Sequence, residues 1–215
     1  MIADYQRQFI EFAIQSGVLQ FGEFKLKSGR ISPYFFNAGL FCSGESLSRL
    51  GQYYSAALMH SGMEFDLLFG PAYKGIPLAS TTAISLYTDH GRNVPYVFNR
   101  KEIKGHGEGG QLVGAKLEGK IVIVDDVITA GTAIREVMEI LDGSPVSVSA
   151  VLIAIDRQEK GNVDISAIQE VEQEYDISVI SVVKLSHIVE HLEILGQYEK
   201  ELALISQYRT EYGID

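Results

Sequence analysis

With 215 residues, 46% of them hydrophobic and 21% charged, the chain has the size and balance of one globular core, or one core with a small appended subdomain. Eighteen basic residues against twenty-eight acidic ones leave a net charge of −10, which argues against a nucleic-acid surface and makes every basic cluster informative. The single Cys42 excludes an intramolecular disulfide; with no apolar run of membrane-spanning length, and with Asp4, Arg7 and Glu11 interrupting the first residues, a cytoplasmic protein without signal peptide or membrane contact is expected.

In chain order, Asp4 to Ser16 places Phe9, Ile10, Ala13 and Ile14 on one helical face, and Gly17 stops it. Phe21 to Lys27 alternates, turns at Ser28, Gly29 and Arg30, and resumes from Ile31 to Asn37, which predicts a β-hairpin. A second helix is expected from about Gly44 to Ser61. These residues, about 1–62, should form a small N-terminal hood. From Phe65 the rhythm becomes strand, loop, helix. Strands are predicted at Phe65 to Phe69, Val94 to Phe98, Ile121 to Asp125, Val146 to Ile155 and Ile177 to Val183, with a helix from Ile76 to Tyr87. Such alternation implies right-handed crossovers and an α/β fold: a doubly wound, mainly parallel sheet flanked by helices, its core at about 63–185. Amphipathic helices from Ser186 to Leu195 and from Glu199 to Tyr212 fill about 186–215, and residues 1–215 read as one domain.

The densest stretch runs from Ile121 to Ala133. Four β-branched residues, Ile121 to Val124, lack polar alternation and fit a central parallel strand covered on both faces, so Asp125 and Asp126 fall at its carboxyl end. Apolar residues at Ala133, Ile134, Val137, Met138, Ile140 and Leu141 then follow helical spacing, which makes Thr129 to Thr132 the turn that starts a helix. Converging N–H groups, the helix dipole, Gly131 and the hydroxyls of Thr129 and Thr132 suit an anion there. Two acceptor-only carboxylates beside a phosphate suit the vicinal hydroxyls of a ribose, with Mg²⁺ nearby to offset their charge. The competing readings are a solvated acid pair at a sheet edge and the metal pocket of a receiver domain, whose acids would follow the first strand near the N-terminus.

Two further segments belong to the same sheet end. Gly70 to Gly75 offers tight turns, backbone donors and the point charge of Lys74; taken alone it reads better as a plain turn with a solvent-facing lysine, and its place at the sheet end shared with Asp125 and Asp126 changes that. Between Asn99 and Gly110, the cations Arg100, Lys101 and Lys104 and the ionisable His106 precede glycines with few apolar anchors, which describes either a solvated loop or a mobile basic lid that closes on pyrophosphate. His106 has no Cys or His at metal-ligand spacing. His187 and His191 lie four apart on one helical face but lack a third ligand, so an exposed face is expected for them. No nucleophile elbow is present.

The run from Ile121 to Ala133 resembles the 5-phosphoribosyl 1-pyrophosphate signature of the type I phosphoribosyltransferases. The segment Gln6 to Ala13, the turn Lys27-Ser28-Gly29-Arg30 and Asp156-Arg157-Gln158-Glu159 further resemble the bacterial orotate phosphoribosyltransferases, over essentially the whole chain. The resemblance implies that 5-phosphoribosyl 1-pyrophosphate and orotate give orotidine 5'-monophosphate and pyrophosphate, with Mg²⁺ held mainly through substrate and water and not directly by the protein. It implies a phosphosugar site of Lys27, Tyr73, Lys74, Arg100, Lys101, Lys104, His106, Asp125, Asp126, Val127, Ile128, Thr129, Ala130, Gly131, Thr132 and Ala133. Among these, Lys101, Lys104, His106, Asp125 and Asp126 would be catalytic. Orotate would lie against Phe35 and Phe36, with Thr129 and Arg157 as polar contacts, although singly the phenylalanines read equally as hairpin core. A homodimer is implied, with lid 100–110 reaching the neighbouring site. The rivals are a purine phosphoribosyltransferase, whose hood would not need Lys27 and Arg157, and a non-enzymatic phosphoribosyl pyrophosphate sensor, which should carry a DNA-binding module.

Overall fold

The computed structural model describes residues 2–26, 28–104, 110–161 and 164–214. Helix α1 (Asp4–Gln15) buries Phe9, Ile10, Phe12 and Ala13, and the Gln6 side chain accepts the Ala3 N–H at 3.0 Å to hold its first turn. Strands β1 (Leu19–Lys25) and β2 (Ile31–Phe36) pair antiparallel as the expected hairpin. After a short 3₁₀ turn at Ala38–Leu40, α2 (Gly44–Ser61) begins at Ser43, whose hydroxyl accepts the Ser46 N–H at 3.1 Å.

The sheet follows as β3 (Leu67–Gly70), α3 (Gly75–His90), β4 (Tyr96–Lys104), β5 (Gly110–Gly114), β6 (Gly119–Val124), α4 (Thr132–Leu141), β7 (Val146–Asp156), α5 (Ala167–Tyr175) and β8 (Ser178–Lys184), closed by α6 (Leu185–Leu195) and α7 (Glu199–Tyr212). Its order is β5-β4-β3-β6-β7-β8, with β4 and β5 antiparallel and every other neighbour parallel. Three elements depart from the sequence reading: the far end of β4, its partner β5 and helix α5. The segment expected to be a loop from Asn99 onward continues β4 as far as Lys104, which pairs with Gly110. Its charged residues can extend because they lie on an edge hairpin, where one side of the backbone is paired and the other open. Helix α5 was also not anticipated, although Ser166 and Gln169 cap it reciprocally at 3.1 and 2.9 Å.

Alternation along the central strands sorts the core onto two faces. Val122, Val124, Leu152 and Ala154 face the hood, with α3, α6 and α7, whereas Ile121, Ile123, Val151 and Ile153 face α4 and α5. Helices α3 and α4, which follow the adjacent strands β3 and β6, therefore lie on opposite sides of the sheet. The crevice between these strand ends is the topological switch point, where open α/β sheets take their ligands. One hydrophobic cluster runs from Phe9 and Tyr54 in the hood to Val122 and Leu152 in the sheet, so the hood shares the sheet's core. His191 belongs to that interior: it is only 2% exposed, Nε2 lies 3.8 Å from Glu11, and neither ring nitrogen makes a hydrogen bond among the described residues. The exposed face expected for it is corrected, because α6 packs on α1 as well as on the sheet. No helix among the described residues is long and apolar enough to cross a membrane.

Candidate active site

Strands β3, β6 and β7 are neighbours and parallel: Gly70 and Val124 end level, Val124 lies beside Leu152, and β7 continues to Asp156, so the loops after all three leave the same end of the sheet. Gly75 makes the first loop fit: a Cβ there would come within 2.6 Å of the Val124 carbonyl oxygen, closer than any side chain tolerates. The start of α3 thus lies directly against the end of β6. Asn99, buried at the point where β4 leaves the sheet, accepts the Ala72 N–H at 2.8 Å and ties the base of the basic strand to this loop. In the loop, Tyr73 is exposed and Lys74 reaches across the crevice to donate to Asp126 Oδ2 at 2.6 Å.

Both acids are nearly buried, each 8% exposed. Asp125 Oδ1 accepts the Asp126 N–H at 2.9 Å, and Asp126 Oδ1 accepts the Val127 N–H at 3.0 Å. Burial, and then the neighbouring charge of Asp126, pushes the Asp125 carboxyl up to about 6. Behind it the fully buried Tyr54 donates to the Asp125 carbonyl at 3.0 Å, anchoring the acid turn to α2. Val127 and Ile128 pack into the two opposite core faces, which leaves the backbone between them fixed. Thr129, Ala130 and Thr132 are then exposed at the mouth of α4, with Gly131 buried in the left-handed region at φ 69° and Ala133 half-buried. Arg135 holds the turn from behind, donating to the Ala130 carbonyl at 2.6 Å and pairing with Glu174 at 3.0 Å. Chemically this is an anion cradle beside two hydroxyl-accepting carboxylates.

Arg157 emerges at the end of β7 with its side chain 21% exposed. Its Nε and Nη2 donate to Glu159 Oε1 at 3.0 and 2.7 Å, and its guanidinium lies 4.7 Å from the ring centre of Tyr34 in the hood. Phe35 is half-buried and stacks on Phe24 at 5.5 Å. Phe36 points the other way, as the next residue of a strand must, and packs on Phe9 and Phe41 in the hood core. The two rings thus lie on opposite faces of β2, with Phe35 on the open one. Arg100 is half-buried and Lys101 exposed on β4. Lys104 closes that strand by its backbone, while Lys27 and His106 lie outside the described residues. Among the described residues no group of three or more His, Cys, Asp or Glu side chains could hold a metal ion. A cavity of about 790 Å³ opens elsewhere, between α6, α7 and Lys160, and contains none of the strand-end residues.

Sequence reasoning missed Tyr34, Asn99 and Glu159. Tyr34 bonds Glu159 across 125 residues and Asn99 bonds Ala72 across 27; only the contact of Glu159 with Arg157 is local in the chain. Residues 47–190 match the family described as Phosphoribosyl transferase domain. The chain is 58% identical to an orotate phosphoribosyltransferase of Shewanella oneidensis over 98% of both chains. It is 60% identical to that of Vibrio cholerae over 98% of this chain and 99% of the relative. Its structure is similar to the crystal structure of orotate phosphoribosyltransferase from Francisella tularensis, with a TM-score of 0.88 and 43% identity over 96% of this chain and all of that one. With an anion cradle, paired acids and a basic strand at one sheet end, and these relatives along nearly its whole length, the chain belongs to the phosphoribosyltransferase family, among the orotate phosphoribosyltransferases.

Proposed function

We propose that the protein transfers the 5-phosphoribosyl group from 5-phosphoribosyl 1-pyrophosphate to orotate, releasing orotidine 5'-monophosphate and pyrophosphate in pyrimidine nucleotide synthesis. The observation that carries this reading is the order of groups along three adjacent strand ends: Tyr73 and Lys74 after β3, Asp125 to Thr132 after β6, and Arg157 after β7. With strands about 5 Å apart and β7 continuing past Leu152, the neighbour of Val124, to Asp156, the span from the first group to the third is on the order of 15 Å, the scale of a sugar carrying pyrophosphate at one end and facing a base at the other. The relatives' names supply the base.

In this assignment the 5-phosphate sits on the backbone from Val127 to Ala133 and the hydroxyls of Thr129 and Thr132. Asp125 and Asp126 accept the ribose hydroxyls, and Tyr73, Lys74, Lys27 and the basic strand take the pyrophosphate. Orotate lies beside Phe35 and Thr129, with its carboxylate toward Arg157. Cleavage at the anomeric carbon passes through an oxocarbenium-like state, so the protein has two tasks: to align the reactants and to stabilise charge on the departing pyrophosphate. Lys101, Lys104 and His106 serve the second. The oxygen-rich acid pair suits a hard cation, and Mg²⁺ arriving with the substrate would neutralise pyrophosphate charge while held mainly by substrate and water.

The same reading makes the active unit a cytoplasmic homodimer in which lid 100–110 of one chain covers the site of the other. Exposed Ile84 and Tyr87, one turn apart on α3, support a face that another copy could cover. Mixing a K101A/K104A variant with a D125N/D126N variant tests it: a shared lid restores activity after subunit exchange, and lids acting within their own chain restore none. The reaction itself is tested by following the absorbance of orotate with 5-phosphoribosyl 1-pyrophosphate; no consumption of orotate would overturn the proposal.

A further inference from the structure

The Arg157 guanidinium does not project freely into the crevice. Its Nε and Nη2 edge is engaged by one oxygen, Glu159 Oε1, which also accepts the Tyr34 hydroxyl at 2.6 Å. Nη2 lies a further 3.4 Å from the Ser32 hydroxyl, which leaves Nη1 as the nitrogen with no partner among the described residues. Glu159 is itself fixed. Between it and Arg157, Gln158 adopts the left-handed conformation at φ 52°, unusual for a residue other than glycine. Three hydrogen bonds hold it there: its N–H donates to Asp156 Oδ1 at 2.8 Å, its Oε1 accepts the Ser186 N–H at 2.8 Å, and its carbonyl accepts the Ile214 N–H at 3.0 Å. A strained residue persists only where its surroundings over-determine it, and here the strain brings Arg157 and Glu159 together.

The clamp is built from distant parts of the chain. Glu159 forms a β-bridge with Gly213, and the Lys160 N–H donates to the Tyr212 carbonyl at 2.8 Å. Arg30 donates to the carbonyls of Lys160 and Gly161 at 2.8 and 3.2 Å while lying over the Tyr212 ring. The hood and the carboxyl-terminal segment thus fix the backbone that carries Glu159, and its carboxylate, held by Tyr34, engages one guanidinium. A flexible arginine would meet many anions; a fixed one with a single free edge meets a carboxylate in one place.

We propose that Glu159 is a positioning residue for the base: by holding Nε and Nη2 of Arg157 it turns Nη1 toward the substrate carboxylate and so sets the preference for a carboxylated pyrimidine over its uncharged counterpart. The inference rests on the assignment of Arg157 to the base carboxylate. Because three donors converge on one acceptor oxygen, the role needs an oxygen at that place more than it needs a charge. Steady-state kinetics of E159Q, E159D and E159A with orotate and uracil distinguish these. Glutamine keeps the acceptor within reach and should leave the KM for orotate close to that of the parent. Aspartate keeps the charge but retracts the acceptor, and alanine removes both; each should raise the orotate KM by about tenfold or more and lower the orotate-to-uracil preference, with the KM for 5-phosphoribosyl 1-pyrophosphate unchanged. An aspartate variant better than the glutamine variant would make charge compensation the role and overturn positioning. Equal increases in both substrates' KM would do the same, by revealing a merely structural contribution.

A double-mutant cycle with R157A separates this proposal from the assignment beneath it. If R157A alone weakens orotate and adding E159A changes little more, the two act as one device. Additive losses would reject Glu159 as the residue that aims Arg157 while leaving Arg157 at the base. No effect of R157A on orotate would reject the assignment and the positioning role with it. Should E159A fail to fold, the comparison of aspartate with glutamine still decides the matter.

Discussion

The two halves of the crevice are built in opposite ways. The half we assign to the ribose and its 5-phosphate is one continuous run: strand β6, two acids, a turn and helix α4, each residue placed by its chain neighbours and by core packing on both faces of the sheet. The half we assign to the base is assembled from Ser32 and Tyr34 in the hood, Arg157 and Glu159 after β7, and the segment from Tyr212 to Ile214. Contiguity makes the first half robust and recognisable; convergence makes the second adjustable, because a change in any contributor re-aims the guanidinium. Chemistry common to a family sits naturally on the first kind of architecture, and the choice of base on the second.

The strongest way to break this contrast is at the acids. The D125N/D126N variant should keep its fold, since it removes two crowded, nearly buried carboxylates, yet lose on the order of a thousandfold or more in kcat/KM. Circular dichroism and steady-state rates together check this, and near-native transfer would remove the acids from the chemistry. Next in size, K101A should lose about a hundredfold in kcat with little change in substrate affinity, because an exposed cation on β4 acts on charge that develops only as pyrophosphate departs. A rise in KM at constant kcat would recast Lys101 as a ground-state contact.

A pH series sharpens the same half. Asp125 titrates at about 6 in the folded protein against an ordinary 3.8, so between those values the folded state holds more protons than the unfolded one. Stability should therefore decline as pH rises through that window and level off above about 6, by up to about 3 kcal/mol. In D125N the part of this decline due to Asp125 should be lost, leaving the smaller part from the half-buried Asp156, also raised; chemical denaturation from pH 4 to 7 measures it, and identical profiles for the two proteins would place the proton elsewhere. The base half yields the smallest effect. R157A should weaken orotate by about 1.5–3 kcal/mol, the worth of a hydrogen bond to a charged group, and uracil by less. Calorimetry with both bases decides it, since equal weakening would take Arg157 away from the carboxylate.

What the sequence made legible follows the same division. Helix α2 was expected at Gly44 to Ser61 and α7 at Glu199 to Tyr212, and both occupy those bounds. The parallel strands and the acid turn were equally readable, because burial on both faces leaves an unbroken β-branched run. Strand β5 was not readable: Gly-Gln-Leu-Val-Gly is too short and glycine-flanked to stand out, and its pairing with β4 is a tertiary fact. Helix α5 did carry a signal, the serine and glutamine of its reciprocal cap, that periodicity alone passes over. His191 was misjudged because the burial of a helix packed on two sides depends on what lies opposite it. Glu159 was readable only as part of the stretch from Asp156; its hold on Arg157 depends on the fold, and its second partner, Tyr34, lies 125 residues away.

The ion pair between Lys74 and Asp126 gives the crevice the character of a logical conjunction. In the free protein the cation we assign to phosphate and the acid we assign to sugar satisfy each other at 2.6 Å across the switch point. A bare phosphate or pyrophosphate could draw Lys74 away, but it would leave a nearly buried carboxylate without its cation. An unphosphorylated sugar could offer hydroxyls to Asp126, but it would strand the lysine. Either exchange gives up one good contact to gain one. Only a ligand presenting sugar and phosphate together replaces both partners at once, so cellular phosphate and free sugars face a threshold that the joined molecule does not.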